Sequence, residues 1–170
     1  MITVDESAKV QIWPSVNGTL SLSTTPRTQR MSDKINFATL IDSIIWTAAG
    51  PNSKQNLRTP VVRLYVPTRP EAFNFSSRPA IMPDGTSYIS PSAVTGGAKV
   101  PLRPGSVYLS HESGHISCWD EETGTHQSTL RIASGAITCV LGVLKHLWVG
   151  FKTGTISESP TLTIALMSIS

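Results

Sequence analysis

A chain of 170 residues is long enough for one ordinary domain with a core of useful size. Hydrophobic content of 39% against 15% charged residues excludes wholesale disorder, and twelve prolines with twelve glycines exclude a helical bundle. The net charge of +3 is carried by scattered cations such as Arg27, Arg58, Arg78, Arg103 and Lys145, so no basic run marks a nucleic-acid arm and no nucleic acid is expected as a partner.

In chain order, the start MITVDESAKV has neither the basic region nor the apolar stretch of a secretion signal. No run approaches the roughly 18 apolar residues of a membrane span, so a soluble, cytoplasmic placement is expected. Residues 1–34 are polar and rich in Ser and Thr, with one short apolar patch at Val10 to Trp13, and read as a disordered tail. Structure is expected from Ile35 onward, as one unit over 35–170. The run FATLIDSIIWTAA (37–49) is long enough for a helix, but its β-branched and aromatic residues favour strand, and Gly50-Pro51 ends it. PNSKQNLRTP (51–60) reads as a loop, VVRLYVP (61–67) as a strand, and Arg78 to Met82 as another. A long loop is expected over 83–97, with turns at Pro83-Asp84-Gly85 and Thr95-Gly96-Gly97. From Ala98 a series of short strands follows at regular spacing, which indicates an all-β sandwich, barrel or propeller. Cys118 and Cys139 sit in strand-like runs and are expected as reduced core residues.

An internal repeat chooses among these architectures. VYLSHESGHIS (107–117) lies over LWVGFKTGTIS (147–157) at an offset of about 40 residues. Tyr108 meets Trp148, Gly114 meets Gly154, Ile116 meets Ile156 and Ser117 meets Ser157, and Gly150 is a further structural repeat position. A looser copy, SIIWTAAG (43–50), lies upstream. Several strands per period of about 40 is the repeat of a propeller blade, a small sheet that cannot bury its two faces alone. Blade-like units are placed near 35–82, 98–134 and 135–170, about two to three in all.

Residues 111–115 read His-Glu-Ser-Gly-His, which satisfies the zinc-protease pattern H-E-x-x-H. That chemistry needs both imidazoles on one helical face, one turn apart. Here VYLS precedes and HISCW follows, both strand-like, and the next repeat keeps only the glycine. His111, Glu112 and His115 are therefore rejected as metal ligands, and the histidines are expected to flank a surface hairpin whose turn residue is Gly114. A nucleophilic triad of Ser110, His111 and Asp120 lacks the elbow motif that would support it. No catalytic residue, metal or cofactor is expected, and the chain is not expected to be an enzyme.

ESGHISCWDEETG (112–124) resembles the WD-repeat pattern, with Gly114, Ile116, Trp119 and Asp120 in register. The resemblance implies that Trp119-Asp120 ends the third strand of a blade and that 121–124 turn into a fourth strand near 128–132. It also implies a Trp packed between sheets and a polar network of His, Ser/Thr and Asp. The Gly114-His115 pair stands away from the family's usual Gly-His position, so that network is expected to be incomplete. Four ordered blocks (46–73, 77–85, 105–120 and 137–156) are similar to the non-catalytic propeller of fungal inositol-polyphosphate 5-phosphatases. The catalytic motifs of those phosphatases are absent, and after Ile156 the sequence SESPTLTIALMSIS departs from the propeller pattern, as in a truncated or fragment product.

The resulting expectation is an all-β, partial WD-repeat β-propeller with an atypical C-terminus, acting as a non-catalytic interaction scaffold. Its partners would be proteins, including further copies of itself through exposed blade faces. A distant alternative is zinc chemistry at His111-Glu112-x-x-His115. Another is binding to phosphoinositide or a membrane surface through Arg63, Arg69 and Arg78.

Overall fold

The computed structural model describes residues 2–5, 7, 9–13, 15–16, 19–20, 25–30, 35–49, 62–69, 74–86 and 88–159. Among the described residues there are strands and turns and no helix. Strands β1 (Ile2–Val4), β2 (Lys9–Ile12) and β5 (Arg27–Arg30) form a first sheet, here sheet N. Strands β3 (Ser15–Val16) and β4 (Thr19–Leu20) pair as a small hairpin. Sheet I is an antiparallel meander of β6 (Phe37–Ile41), β7 (Ile44–Ala48), β8 (Val62–Arg69) and β9 (Asn74–Pro79). Sheet II repeats it with β10 (Val94–Val100), β11 (Arg103–His111), β12 (His115–Asp120) and β13 (His126–Arg131). Sheet III contains β14 (Ile137–Val143), β15 (His146–Phe151) and β16 (Ile156–Ser159).

Because side chains alternate across a strand, the pairing register sorts each sheet into two faces. In sheet I, Ile45 sits opposite Tyr65, and both pack against Val10 and Ile12 of sheet N. Trp46 sits opposite Leu64 on the other face, and both pack against Val107, Leu109 and Trp119 of sheet II. Sheet II continues the alternation. Tyr108, Ile116, Ala98 and Val100 turn away from sheet I and meet Ile137, Leu147 and Val149 of sheet III. The order of stacking is therefore N, I, II, III, and β7 is buried along nearly its whole length because it is covered from both sides. The first strands of the last three sheets, β6, β10 and β14, lie side by side along one edge.

Several boundaries differ from the sequence expectation. The polar segment 1–34 is not simply a tail. Val10 and Ile12 supply enough apolar surface to dock β2 on Ile45 and Tyr65, and β1 and β5 pair onto β2. The run 37–49 is a hairpin rather than one strand, broken at Asp42-Ser43 where Asp42 takes a φ of 51°. Asp tolerates that left-handed conformation better than most residues. The loop placed at 83–97 ends sooner, since β10 starts at Val94. Cys139 is exposed rather than in the core, whereas Cys118 is half-buried. The expected loop 51–60 and the closing segment 161–169 lie outside the described residues.

Gly114 and Gly154 occupy matching turns. Their N–H groups donate to the carbonyls of His111 and Phe151 at 3.0 and 2.9 Å, and their φ angles are 81° and 83°. The residues just after β11 and β15 match as well: Glu112 N–H donates to Ala93 and Lys152 N–H to Ala136, at 2.9 Å each. The surroundings differ in one respect. A Cβ on Gly114 would run into the Ala133 carbonyl, whereas one on Gly154 would meet nothing within 4 Å. Gly154→Ala is therefore expected to cost only the backbone strain, about 1 kcal/mol, and Gly114→Ala at least about 3 kcal/mol. Chemical denaturation of the two variants checks this, and equal losses would contradict the close approach at Gly114.

Candidate functional site

The His-Glu-Ser-Gly-His residues turn a corner between two strands. His111 is the last residue of β11, His115 the first of β12, and Glu112-Ser113-Gly114 form the turn. The helical geometry that would bring both imidazoles to one zinc ion is absent. His115 Nδ1 instead bonds the Ser113 hydroxyl at 2.8 Å. Among the described residues no group of three His, Cys, Asp or Glu side chains converges as a metal site would require.

The expectation of a surface histidine fails at His111, which is fully buried. The strand alternation of β11 carries its side chain inward beside Ser117, to which Trp119 also bonds. Trp119 Nε1 donates to Ser117 Oγ at 2.8 Å, and Ser117 Oγ lies 2.8 Å from His111 Nε2. On the other side His111 Nδ1 lies 3.0 Å from Ser90 Oγ, and Ser90 Oγ donates to the Ser92 carbonyl at 2.5 Å. Counting donors assigns the direction. Ser90 spends its proton on Ser92, so Nδ1 carries the imidazole proton; Ser117 Oγ faces both Nε2 at 2.8 Å and the Leu109 carbonyl at 3.4 Å, and its proton goes to the shorter contact, Nε2. This polar relay joins the third strand, the second strand and the segment before the first strand of sheet II. It is more complete than the Gly114-His115 position suggested, because His111 supplies the imidazole. Burial pushes the His111 imidazole down to a pKa of about 4 and keeps it neutral at pH 7.

Trp119 is also the centre of an aromatic cluster. Trp46 meets it edge-on at 6.2 Å between centroids, Tyr88 at 4.6 Å and His126 at 5.2 Å, and Tyr88 stacks on His126 at 5.0 Å. Asp120 follows in the turn, where its carboxylate accepts the Thr123 backbone N–H and hydroxyl at 2.7 Å each. Those bonds hold its pKa below the usual carboxylate range. Lys99 bridges Asp42 of sheet I at 2.5 Å and Glu121 of sheet II at 2.7 Å. Ile81 adds a backbone tie, accepting from His126 N–H at 2.8 Å and donating to Gly124 at 3.2 Å. Nothing in the sequence pattern marks Ser90, Tyr88, His126 or Lys99, whereas the repeat matches Ser117 to Ser157.

The residues considered for catalysis do not assemble. Ser110 Oγ bonds Thr95 Oγ1 at 3.1 Å, His111 is engaged by Ser90 and Ser117, and Asp120 by Thr123. Of the arginines considered for anionic lipid, Arg63 and Arg78 lie on opposite faces of sheet I. Arg63 lies opposite Thr47, on the face of Ile45, while Arg78 lies opposite Leu64, on the other face, and donates to the Glu122 carbonyl. Arg69 is in β8.

Among the described residues, one face of sheet III is exposed. Leu141 sits opposite Trp148, which sits opposite Glu158; Cys139 sits opposite Gly150, which sits opposite Ile156. Leu141 is 63% exposed, Trp148 39% and Ile156 72%. The same face of sheet II, with Tyr108 in place of Trp148 and Ile116 in place of Ile156, is buried by sheet III. His146 Nδ1 lies 2.6 Å from Glu158 Oε1 on this exposed face.

The relay makes a pH prediction. His111 titrates near 6.5 when unfolded and near 4 when folded, so between those values the unfolded chain binds the extra proton. Stability is expected to fall as the pH is lowered from 7 to 4, by on the order of 3 kcal/mol from this group. His126, also depressed by burial, adds in the same direction. Unfolding curves across that range should show a shallower slope for His111→Gln. An unchanged slope would place the titration elsewhere.

No protein-family model matches the sequence, and no curated protein matches it. Solved structures do match. The computationally designed Ika4 protein is 15% identical with a TM-score of 0.58, over 93% of this chain and 82% of that one. The β-propeller domain of Cps50 (Swd1) from Myceliophteria thermophila is 16% identical with a TM-score of 0.58, over 95% of this chain and 49% of that one. The WD40 repeats of RRP9 are 11% identical with a TM-score of 0.58, over 93% and 46%. The chain thus spans about half the length of the Cps50 and RRP9 chains. At these identities the likeness is one of fold alone: the chain is an all-β, partial propeller of the WD-repeat type.

Proposed function

We propose that this chain is a non-catalytic scaffold that binds other proteins through its propeller surface, and that it accompanies an inositol-polyphosphate 5-phosphatase domain. The observation that carries the scaffold reading is where the chemically capable side chains are spent. His111, Ser117, Trp119 and Asp120 all bond within the protein, while a contiguous apolar face at Leu141, Trp148 and Ile156 is left exposed. Large exposed apolar patches mark interaction surfaces. Support for the phosphatase association comes from the ordered sequence blocks at 46–73, 77–85, 105–120 and 137–156.

Immobilised chain, incubated with fungal extract and washed, tests both levels. The eluate is expected to contain saturably retained protein and to release phosphate from an inositol polyphosphate, while the chain alone releases none. Retained protein without that activity would leave the scaffold and overturn the phosphatase association. An eluate indistinguishable from a blank matrix would overturn the scaffold.

A further inference from the structure

The stacking of the four sheets has a direction. Sheet N turns Val10 and Ile12 onto Ile45 and Tyr65 of sheet I; sheet I turns Trp46 and Leu64 onto sheet II; sheet II turns Tyr108 and Ile116 onto sheet III. Calling the covering side of each sheet its front, every contact is front to back. Among the described residues one front remains, that of sheet III, and one back, that of sheet N. We propose that two copies of this chain pair head to tail, the front of sheet III in each copy seated on the back of sheet N in the other, to close one ring of eight sheets. This rests on the reading of the chain as an interaction module and names a second copy as the occupant of its exposed face.

Three observations support that occupant. First, the face is the repeat equivalent of a buried one. Trp148 and Ile156 stand where Tyr108 and Ile116 stand, and those are covered by the back of the following sheet. Second, the back of sheet N carries polar residues and two cations. Thr3, Gln11 and Thr28 lie opposite one another there, and Trp13 lays its indole beside them, donating to Thr3 Oγ1 at 3.4 Å. Lys9 and Arg30 are paired on the same side and exposed, and Glu158 on the front of sheet III carries the opposite charge. Third, one copy spans 49% of the Cps50 propeller chain and 46% of the RRP9 chain, so two copies have close to the length of one such propeller. A heterologous contact that closes after one half-turn makes a finite dimer; one that does not close makes a filament.

Cys139 reports on the interface. It is exposed on the front of sheet III, its sulfur over Gly150, whereas Cys118 faces the sheet II–III interface and is half-buried. Sedimentation of the 170-residue chain over a wide concentration range is expected to give one species of twice the 18.3 kDa chain mass. In that species iodoacetamide should modify Cys139 at least about tenfold more slowly than in a monomer, since a buried thiol is shielded from the reagent. Trp148→Glu on the front and Trp13→Glu on the back should each give a monomer with fast Cys139 modification. Ile156→Lys and Thr28→Glu serve as second variants where either fails to show a cooperative melt. A wild-type monomer at all concentrations would overturn the proposal while leaving binding to other proteins intact. A dimer that survives both back-face variants would overturn it in favour of front-to-front pairing. Mass that keeps growing with concentration would overturn it in favour of an open filament.

Discussion

A strand with apolar residues at both odd and even positions makes a sheet that is apolar on both sides. Such a sheet is unstable alone and must be sandwiched. The stacking of sheets I, II and III follows from that constraint. β7 meets it fully, with Ile45 turned to sheet N and Trp46 to sheet II. β11 meets it with Leu109 turned to sheet I and Tyr108 to sheet III. β15 meets it on one side only, with Leu147 and Val149 buried and Trp148 outside.

Hydrophobic stacking is non-directional, so something must set how the sheets lie against one another. Trp119 does this for sheets I and II. It is wholly buried between them, edge-on to Trp46, and its one polar atom is tied to Ser117. Burying an aromatic ring of this size contributes several kcal/mol, but the bond to Ser117 decides the ring's orientation. His111 then keeps Ser117 in place from the far side, at the cost of holding an imidazole out of water. The arrangement depends on that imidazole being neutral, which links the alignment of the sheets to pH. Lys99 adds a tie at a sheet edge, but its partner Asp42 is largely exposed, so its contribution is modest.

Much of this was legible in the residues. The match of Gly114 to Gly154 and of Tyr108 to Trp148 foretold two equivalent hairpins, because a positive-φ turn and a strand-facing aromatic are local demands. Trp119-Asp120 foretold the end of a third strand for the same reason. What was not legible depends on tertiary neighbours. Val10 and Ile12 are too few to announce a sheet until Ile45 and Tyr65 are placed beside them. The hairpin break at Asp42-Ser43 carries no glycine or proline. The alternation of β11 turns His111 inward, but Ser90, which meets its Nδ1, arrives from the segment before β10 and could not be read from a motif. The inositol phosphatase association remains a matter of sequence blocks, since the shared fold is common to proteins with unrelated partners.

Sheet III needs a cover that sheets I and II already have. Hydrogen exchange measured at several protein concentrations tests it most directly, because protection reports how often each sheet opens. Amides of β7, β11 and β12 are predicted to exchange slowly at every concentration. Amides of β14 to β16 are predicted to exchange fast in dilute solution and to slow markedly as concentration rises. Protection of sheet III that equals that of sheet I in dilute solution, or that ignores concentration, would contradict the account.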